Sequence, residues 1–462
     1  MSPVLVPGPP PVLVRAPYRF PSVTRLDAVL AADLPGCPTA FTAVQFDAGI
    51  RSEPTSRAGL SHLLAAVLRE GAGTLPAGAL PAEEFAPVLE GLGATWSTTI
   101  GDDSLIVSAT APADTVLRVL DHVSRAARFP SFEGGRVARL RDAQSAQVEA
   151  RWARPGTAAA EALGRVLYRA GRPTVAPHGT TRTLRGLSEQ VLRDHHGALL
   201  ASGPRVVLVG DLRRIALDRA AQAAAQLVPR QPVHPAAGSV GALPYTPPEA
   251  RTPAGRDIVV VDRPGAAQAM IRVAHHVPLV ARSQHSALAI AVHVLGGTVH
   301  SRLTRDLRDD RGLVYAVHAA LQLTQDTGVF AVATQTTPRH AGTVVARVLD
   351  RIADLREHGV SEGELTGSVN LLIGRLPIGF HTPGAVGLAL CALASAGATD
   401  EFHTRRYADL AGLVPGEVGD AAREFLSTDR PAVVIEGDAS LVIPSLEAAG
   451  LGPVRIDALG HA

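Results

Sequence analysis

Short segments of this chain recur in the same order at nearly one spacing, and that self-similarity constrains the fold more than any other feature. Val206-Val-Leu-Val-Gly-Asp211 returns 227 residues later as Val433-Val-Ile-Glu-Gly-Asp438. Arg118-Val-Leu-Asp121 returns as Arg347-Val-Leu-Asp350 at an offset of 229, and Val107-Ser-Ala-Thr110 is paralleled by Ala331-Val-Ala-Thr334 at an offset of 224. One such match arises easily by chance; three in order are much harder to obtain that way. The chain has 462 residues, too many for one ordinary core. It is therefore expected to hold two tandem copies of a unit of about 220 residues. The first half is placed at 1–227, a linker at 228–256 and the second half at 257–462. The linker is expected because Val228–Gly255 carries Pro229, Pro232, Pro235, Pro244, Pro247, Pro248 and Pro253 among many Ala and Gly. Such text has poor helix and strand propensity.

Within each copy, strand-like and helix-like patterns alternate. Ala40–Phe46 and Met270–His276 show β-type alternation, and two more matched pairs of apolar runs lie at Leu105–Thr110 with Val329–Thr334 and at Arg205–Val209 with Ala432–Ile435. Helical patterns cover Gly59–Arg69, Ala82–Leu92, Ala113–Ala127, Gly134–Trp152, His285–Leu295 and Thr343–His358. The combination predicts an α+β fold, with helices packed on one face of a mostly antiparallel sheet in each half.

Composition narrows the function classes. With 46% hydrophobic and 19% charged residues the chain is globular rather than disordered. A net charge of +1 advertises neither nucleic acid nor an anionic membrane as partner. Every basic residue is Arg, which we ascribe to a GC-rich genome rather than to function. Cys37 and Cys391 are isolated and offer no disulfide framework or metal-type spacing, as expected in a reducing cytoplasm. The segment Met1–Pro11 lacks a basic n-region and is too rich in proline for a signal peptide. The most apolar run, Ala287–Gly296, is too short to span a bilayer. A soluble, cytoplasmic protein is expected.

The segment Ser301-Arg-Leu-Thr-Arg-Asp-Leu-Arg-Asp-Asp-Arg-Gly-Leu-Val-Tyr-Ala-Val317 places Arg308 and Tyr315 on either side of a helix end marked by Arg311-Gly312. A guanidinium can grip a peptide carbonyl or carboxylate, and a phenol O–H can stabilise a developing oxyanion. The alternative is that Arg308 is one more cation among Arg302, Arg305, Asp306, Asp309, Asp310 and Arg311, and that Tyr315 is a core aromatic. The segment resembles the substrate-binding Arg/Tyr signature of the pitrilysin/insulinase-type (inverzincin) zinc peptidases, in their bacterial processing-peptidase-like branch. Phe46–Pro54, Gly59-Leu-Ser-His62, Leu92-Gly-Ala-Thr95, Phe129-Pro-Ser-Phe132, His178-Gly-Thr180, Val206–Asp211, Gln268–Val273, Gly296-Gly297 and Ser361–Leu365 fall in family order, so the resemblance covers nearly the whole chain. It implies two homologous α+β halves that enclose a chamber with a partner chain.

The same resemblance exposes a loss. The family's inverted zinc motif, His-x-x-Glu-His, reads His62-x-x-Ala65-Ala66 here. A catalytic zinc needs three protein ligands and an open position for water, and the motif's Glu acts as general base. The third ligand, a Glu, is expected near Ala143–Gln147, where this chain offers Gln144 and Gln147, with Glu149 the nearest carboxylate. His62 alone is expected to be a helix-surface or chamber-lining residue. His195-His196, His275-His276, His285, His293, His300 and His318 are scattered and are expected to be core or surface histidines.

The resemblance therefore implies no catalytic residue and no metal on this chain, with substrate binding at Arg308 and Tyr315. Zinc is expected in a homologous partner with an intact His-x-x-Glu-His motif. The leading reading is the zinc-less, substrate-binding subunit of a heterodimeric zinc endopeptidase acting on peptides, including precursor or leader peptides. A non-enzymatic structural or peptide-binding relative is the alternative, and hydrolysis through a relocated metal site is a third.

Overall fold

The computed structural model describes residues 20–71, 82–132, 134–170, 175–227, 249–251, 255–278, 282–323, 328–398 and 401–457. Most of the expected linker lies outside them. The strands are β1 (Val23–Leu26), β2 (Val29–Asp33), β3 (Thr39–Phe46), β4 (Thr95–Ile100), β5 (Leu105–Pro112), β6 (Tyr168–Ala170), β7 (Arg205–Gly210), β8 (Glu249–Ala250), β9 (Asp257–Asp262), β10 (Ala269–Val277), β11 (Val317–Leu323), β12 (Gly328–Thr336), β13 (Ala432–Gly437) and β14 (Val454–Asp457). They form one six-stranded sheet ordered β1-β2-β7-β3-β5-β4, a second ordered β11-β12-β10-β13-β9-β14, and a β6-β8 ribbon. In the two large sheets only β2–β7, β9–β13 and β9–β14 pair in parallel.

Five of the six positions in the two sheets correspond strand for strand. The cross-sheet row Thr98, Val107, Val44, Val206, Val29 matches the row Ala319, Val332, Val273, Val433, Ile258. The sixth position differs: β1 precedes its neighbour and pairs antiparallel, whereas β14 follows and pairs parallel. This register corrects one repeat match. Val107 corresponds to Val332, not Ala331, so the true offset for β5 and β12 is 225. A slip of one residue in a strand exchanges the two faces, so the correction decides which side chains are equivalent.

The repeat extends to the hydrogen bonds that close the strand ends. Asp211 accepts from Gly36 N–H at 2.9 Å, and Asp438 accepts from Gly265 N–H at 2.9 Å. Asp33 accepts from Leu212 N–H and Asp262 from Ala439 N–H, both at 3.0 Å. The Gly-Asp pairs so visible in the sequence recur because each carboxylate ties down the same turn.

The helices are α1 (Leu60–Arg69), α2 (Ala82–Gly91), α3 (Val116–Arg128), α4 (Gly134–Trp152), α5 (Thr157–Leu167), α6 (Thr181–Arg185), α7 (Glu189–Ala201), α8 (Leu217–Leu227), α9 (Arg282–Gly296), α10 (Arg302–Thr304), α11 (Ala341–His358), α12 (Glu362–Gly379), α13 (Pro383–Ser395), α14 (Phe402–Gly412), α15 (Pro415–Phe425) and α16 (Ala439–Ala448). The six expected from periodicity are present to within three residues at either end. One face of the first sheet packs on α1, α3 and α8, and one face of the second on α9, α11, α15 and α16.

The expectation of helices on one face only is incomplete. Each sheet's second face is covered by a helix from the opposite half. Val386, Leu390, Cys391 and Leu393 of α13 pack on Phe41, Ala43, Val207 and Val209. Ala158, Ala159, Ala162 and Val166 of α5 pack on Val259, Val261, Ala274 and Val434. The continuous apolar runs of β7, β9 and β13 are the sequence trace of strands buried on both faces. Burial against the first sheet also accounts for the apolar text of α13. It passes a membrane-span test only together with α12, across a 110° bend, and no single described helix is long and apolar enough to cross a membrane.

Each crossing helix is pinned by a buried polar side chain. Glu436, 1% exposed, accepts from Gly156 N–H at 2.9 Å and Ala159 N–H at 3.0 Å at the start of α5, and pairs with Arg263 at 3.0 Å. Gln45, fully buried, donates to Cys391 O at 2.9 Å and Ser395 Oγ at 2.6 Å near the end of α13. The repeat places Val209 where Glu436 stands and Ala274 where Gln45 stands. The departures from the repeat mark the anchors.

Candidate functional site

The first candidate region is the start of α1. Glu53, 3% exposed, accepts from Gly59 N–H at 3.0 Å and Ser61 N–H at 2.6 Å. A carboxylate there complements the unsatisfied amides and positive end of the helix. Gln144 of α4 reaches over and donates its amide to Gly59 O at 3.0 Å and His178 O at 2.9 Å. Thr183 Oγ1 donates to Ala58 O at 2.8 Å. Two glycines let these loops meet backbone to backbone. Gly59 has φ +91° and a Cβ there would lie 2.5 Å from His178 O; Gly179 has φ +83° and a Cβ there would lie 2.3 Å from Ala58 O.

On this scaffold His62 is half-buried, with its ring centroid 4.0 Å from that of His178 at 59°. Ala65 is buried in the core beneath the helix, and Ala66 is half-buried. Gln144 fills the window expected for the third ligand, but its amide is committed to two carbonyls. Gln147 and Glu149 are exposed on α4, and among the described residues Glu149 joins no group of three potential metal ligands. The residues do not fit a catalytic zinc: one motif imidazole, a second from outside the motif, and no carboxylate. Among the described residues, no three His, Cys, Asp or Glu side chains gather into a metal-binding group. The pairing of His62 with His178 was not legible in the sequence, where 116 positions separate them.

The remaining histidines resolve into structural roles. His196 Nε2 donates to Ala127 O at 2.7 Å, and burial pushes both His195 and His196 down to about 4. His276 Nε2 donates to Leu167 O at 2.7 Å, while His275 Nε2 accepts from Ser427 N–H at 3.1 Å. Burial holds His285 and His293 of α9 below the usual imidazole range, and His300 and His318 are exposed.

The second candidate region is the Arg/Tyr segment. Ser301 caps α10, and the chain continues as a π-helical turn over Arg305–Asp310. Such turns are uncommon and concentrate at functional sites. The segment ends at Gly312, with φ +61°, as Arg311-Gly312 predicted. Its charges divide into two sets. Arg302 turns inward, binding Glu364 through Nε at 2.7 Å and Nη2 at 2.8 Å, Asp354 at 3.1 Å and Gly359 O at 2.7 Å. Asp306, 8% exposed, accepts from Arg311 Nε at 3.0 Å and from Arg347 Nε and Nη2 at 3.0 and 2.9 Å. Burial alone would raise the Asp306 carboxyl, but its bonds to Arg347 and Arg311 hold it below its ordinary value.

Arg308 belongs to the outer set. It is part-exposed and, among the described residues, pairs with its neighbour Asp309 at 2.8 Å and makes a long bond to Val299 O at 3.5 Å. Tyr315 is 84% exposed and makes no hydrogen bond to any described residue. The alternative of a core aromatic is therefore overturned: the flanking Val314 and Val317 turn into the core, and Tyr315 turns out.

Comparison with known proteins agrees with this architecture. A model of the insulinase family, peptidase family M16, matches residues 28–178. A model described as the peptidase M16 inactive domain matches residues 189–372. An uncharacterized zinc protease of Streptomyces coelicolor is 27% identical over 155 residues, 33% of each chain. One from Mycobacterium tuberculosis is 32% identical over 95 residues, 21% of this chain and 22% of that one. The matched stretches thus span a third or less of these curated relatives. Solved structures cover far more. A peptidase M16 inactive domain from Pseudomonas fluorescens superposes with a TM-score of 0.76 at 22% identity, covering 90% of this chain and 98% of that one. A protease from Helicobacter pylori gives 0.77 at 14% identity, covering 91% and 100%.

Proposed function

Since the chain belongs to the insulinase-type M16 peptidase family, we propose that it is the zinc-less, substrate-binding subunit of a heterodimeric zinc endopeptidase. The observation that carries this reading is the outward Tyr315, 84% exposed, beside a π-helical turn in which Arg302 and Asp306 are locked in buried ion pairs and Arg308 stays at the surface, paired with its neighbour Asp309. A peptide backbone laid along this segment would offer a carbonyl to the Arg308 guanidinium and a developing oxyanion to the Tyr315 O–H. The metal and its water belong to a partner with an intact His-x-x-Glu-His motif. No proton acceptor stands where Ala65 lies, so this chain supplies grip and charge stabilisation rather than water activation. Small or precursor peptides are the substrate class, and the cytoplasm the site of action.

The test is co-purification with an intact-motif homologue from the same genome, with zinc content and cleavage of a quenched peptide mixture measured on each chain and on the pair. Activity confined to the pair is expected. R308A and Y315F on this chain should each lower kcat/KM of the pair about 100-fold with melting temperature unchanged. A tight pair whose cleavage ignores both substitutions, or an inert pair, would favour a structural or peptide-binding role without cleavage.

A further inference from the structure

We propose that Thr334 and Thr336 are positioning residues that hold Tyr315 in its outward pose, an inference that rests on Tyr315 contacting substrate. An aromatic of this size gains free energy by burying its ring, and the segment from Gly312 to β11 is irregular, so something must keep it out. The backbone on both sides of Tyr315 is clamped. Thr336 Oγ1 donates to Leu313 O at 2.7 Å, and Thr334 Oγ1 donates to Ala316 O at 2.7 Å. Between the two clamps Val314, 6% exposed, fills the core. With Leu313 and Ala316 fixed and Val314 inside, Tyr315 has no inward direction left.

The first half shows that the fold does not need this bracket. By the strand register, Thr334 and Thr336 correspond to Ala109 and Ala111, which lie in the first core without polar atoms. Through the pairing of β4 and β11, Tyr315 corresponds to Ala94, 6% exposed. Leu92 O, the counterpart of Leu313 O, is capped instead by Thr115 Oγ1 at 2.9 Å, from a different element. Two inward hydroxyls thus interrupt the apolar row Phe330–Val332 only in the half with an exposed tyrosine. At 8% and 4% exposure each hydroxyl would be costly to leave unpaired. The loop carbonyls are therefore held as firmly as they hold the threonines.

The experiment uses the full chain labelled with 3-fluorotyrosine. Five tyrosines give few enough ¹⁹F resonances to assign Tyr315 by Y315F. T334V and T336V, singly and together, should shift and broaden that resonance and speed amide exchange over Leu313–Ala316. In the pair with the zinc-bearing homologue they should lower kcat about tenfold while KM stays within about twofold. T334S and T336S keep the donor and should restore both readouts. An unchanged resonance in the valine variants, or serine variants that fail to restore it, overturns the proposal. Cleavage sensitive to Y315F but indifferent to the valines overturns the bracket alone. Cleavage indifferent to Y315F removes the substrate contact and the positioning role with it.

Discussion

The regions at the starts of α1 and β11, one in each half, differ in what they keep of a site. Around α1 the supporting shell is complete. Glu53 caps the helix, Gln144 bridges two loops, and Gly59 and Gly179 allow backbone contact. What is missing is the reactive layer, where Ala65 and Ala66 stand. Around β11 the shell and the presented groups are both there: a π-helical turn, two threonine clamps, an outward Tyr315 and a surface Arg308. A support shell is part of the fold's stability and stands here without a complete set of metal ligands among the described residues. A solvent-facing tyrosine contributes little to stability and needs a separate reason to stand there.

Five substitutions, in three comparisons, probe the anchoring of the halves and the two regions, beside the kinetic tests of Arg308, Tyr315 and the threonine bracket. The largest effect is expected where the halves clasp each other. E436V, which copies Val209 of the first half, removes the acceptor from two amides of α5 and leaves Arg263 without its buried carboxylate. It should cost about 3–5 kcal/mol in urea unfolding, whereas Q45L, at the neutral anchor of α13, should cost about 1–3 kcal/mol. Equal losses would mean that the charge of Glu436 adds nothing to its hydrogen bonds.

Next comes acid. His195 and His196 are kept neutral by burial, with values near 4 against an ordinary 6.5. The unfolded chain takes up these protons first, so stability is complete above pH 6.5 and is lost as pH falls toward 4, by up to about 3 kcal/mol per imidazole. The offset of 227 sets His195 against Ala422, also buried. H195A, copying the second half, should therefore flatten the pH dependence of the unfolding free energy between 6.5 and 4. An unaltered slope would move the acid sensitivity elsewhere.

Smaller effects separate support from relic at α1. Q144L removes both bridging bonds and should cost about 1–3 kcal/mol, with faster amide exchange around Gly179. E149Q, on the exposed side of α4, should stay within about 0.5 kcal/mol. A larger loss at Glu149 than at Gln144 would reverse the assignment of which residue inherits the ligand window.

Much of this was legible in the one-dimensional text. Six helices, three pairs of matched strands and the helix stop at Gly312 follow from local rules of periodicity and turn chemistry, and the loss at Ala65 and Ala66 is visible by inspection. The repeat match at Val107 was one residue out of register, because the shared Ala-Thr of Ala109-Thr110 and Ala333-Thr334 aligns the two segments in the wrong phase, which only the ladders to β3 and β10 reveal. The crossing of α5 and α13 was not visible. An apolar helix announces that it is buried, not which sheet buries it.

Local patterns already specified six of the helices, three pairs of matched strands and the incomplete zinc motif, since each is written in residues close together in the chain, and their recurrence revealed the duplication. Packing fixes that His178 meets His62, that Gln144 bridges two loops, that Glu436 and Gln45 anchor helices of the opposite half, and that Tyr315 points outward. All four are set by contacts between segments far apart in the chain. Such contacts are fixed by the packing of whole sheets and helices, which no local pattern encodes.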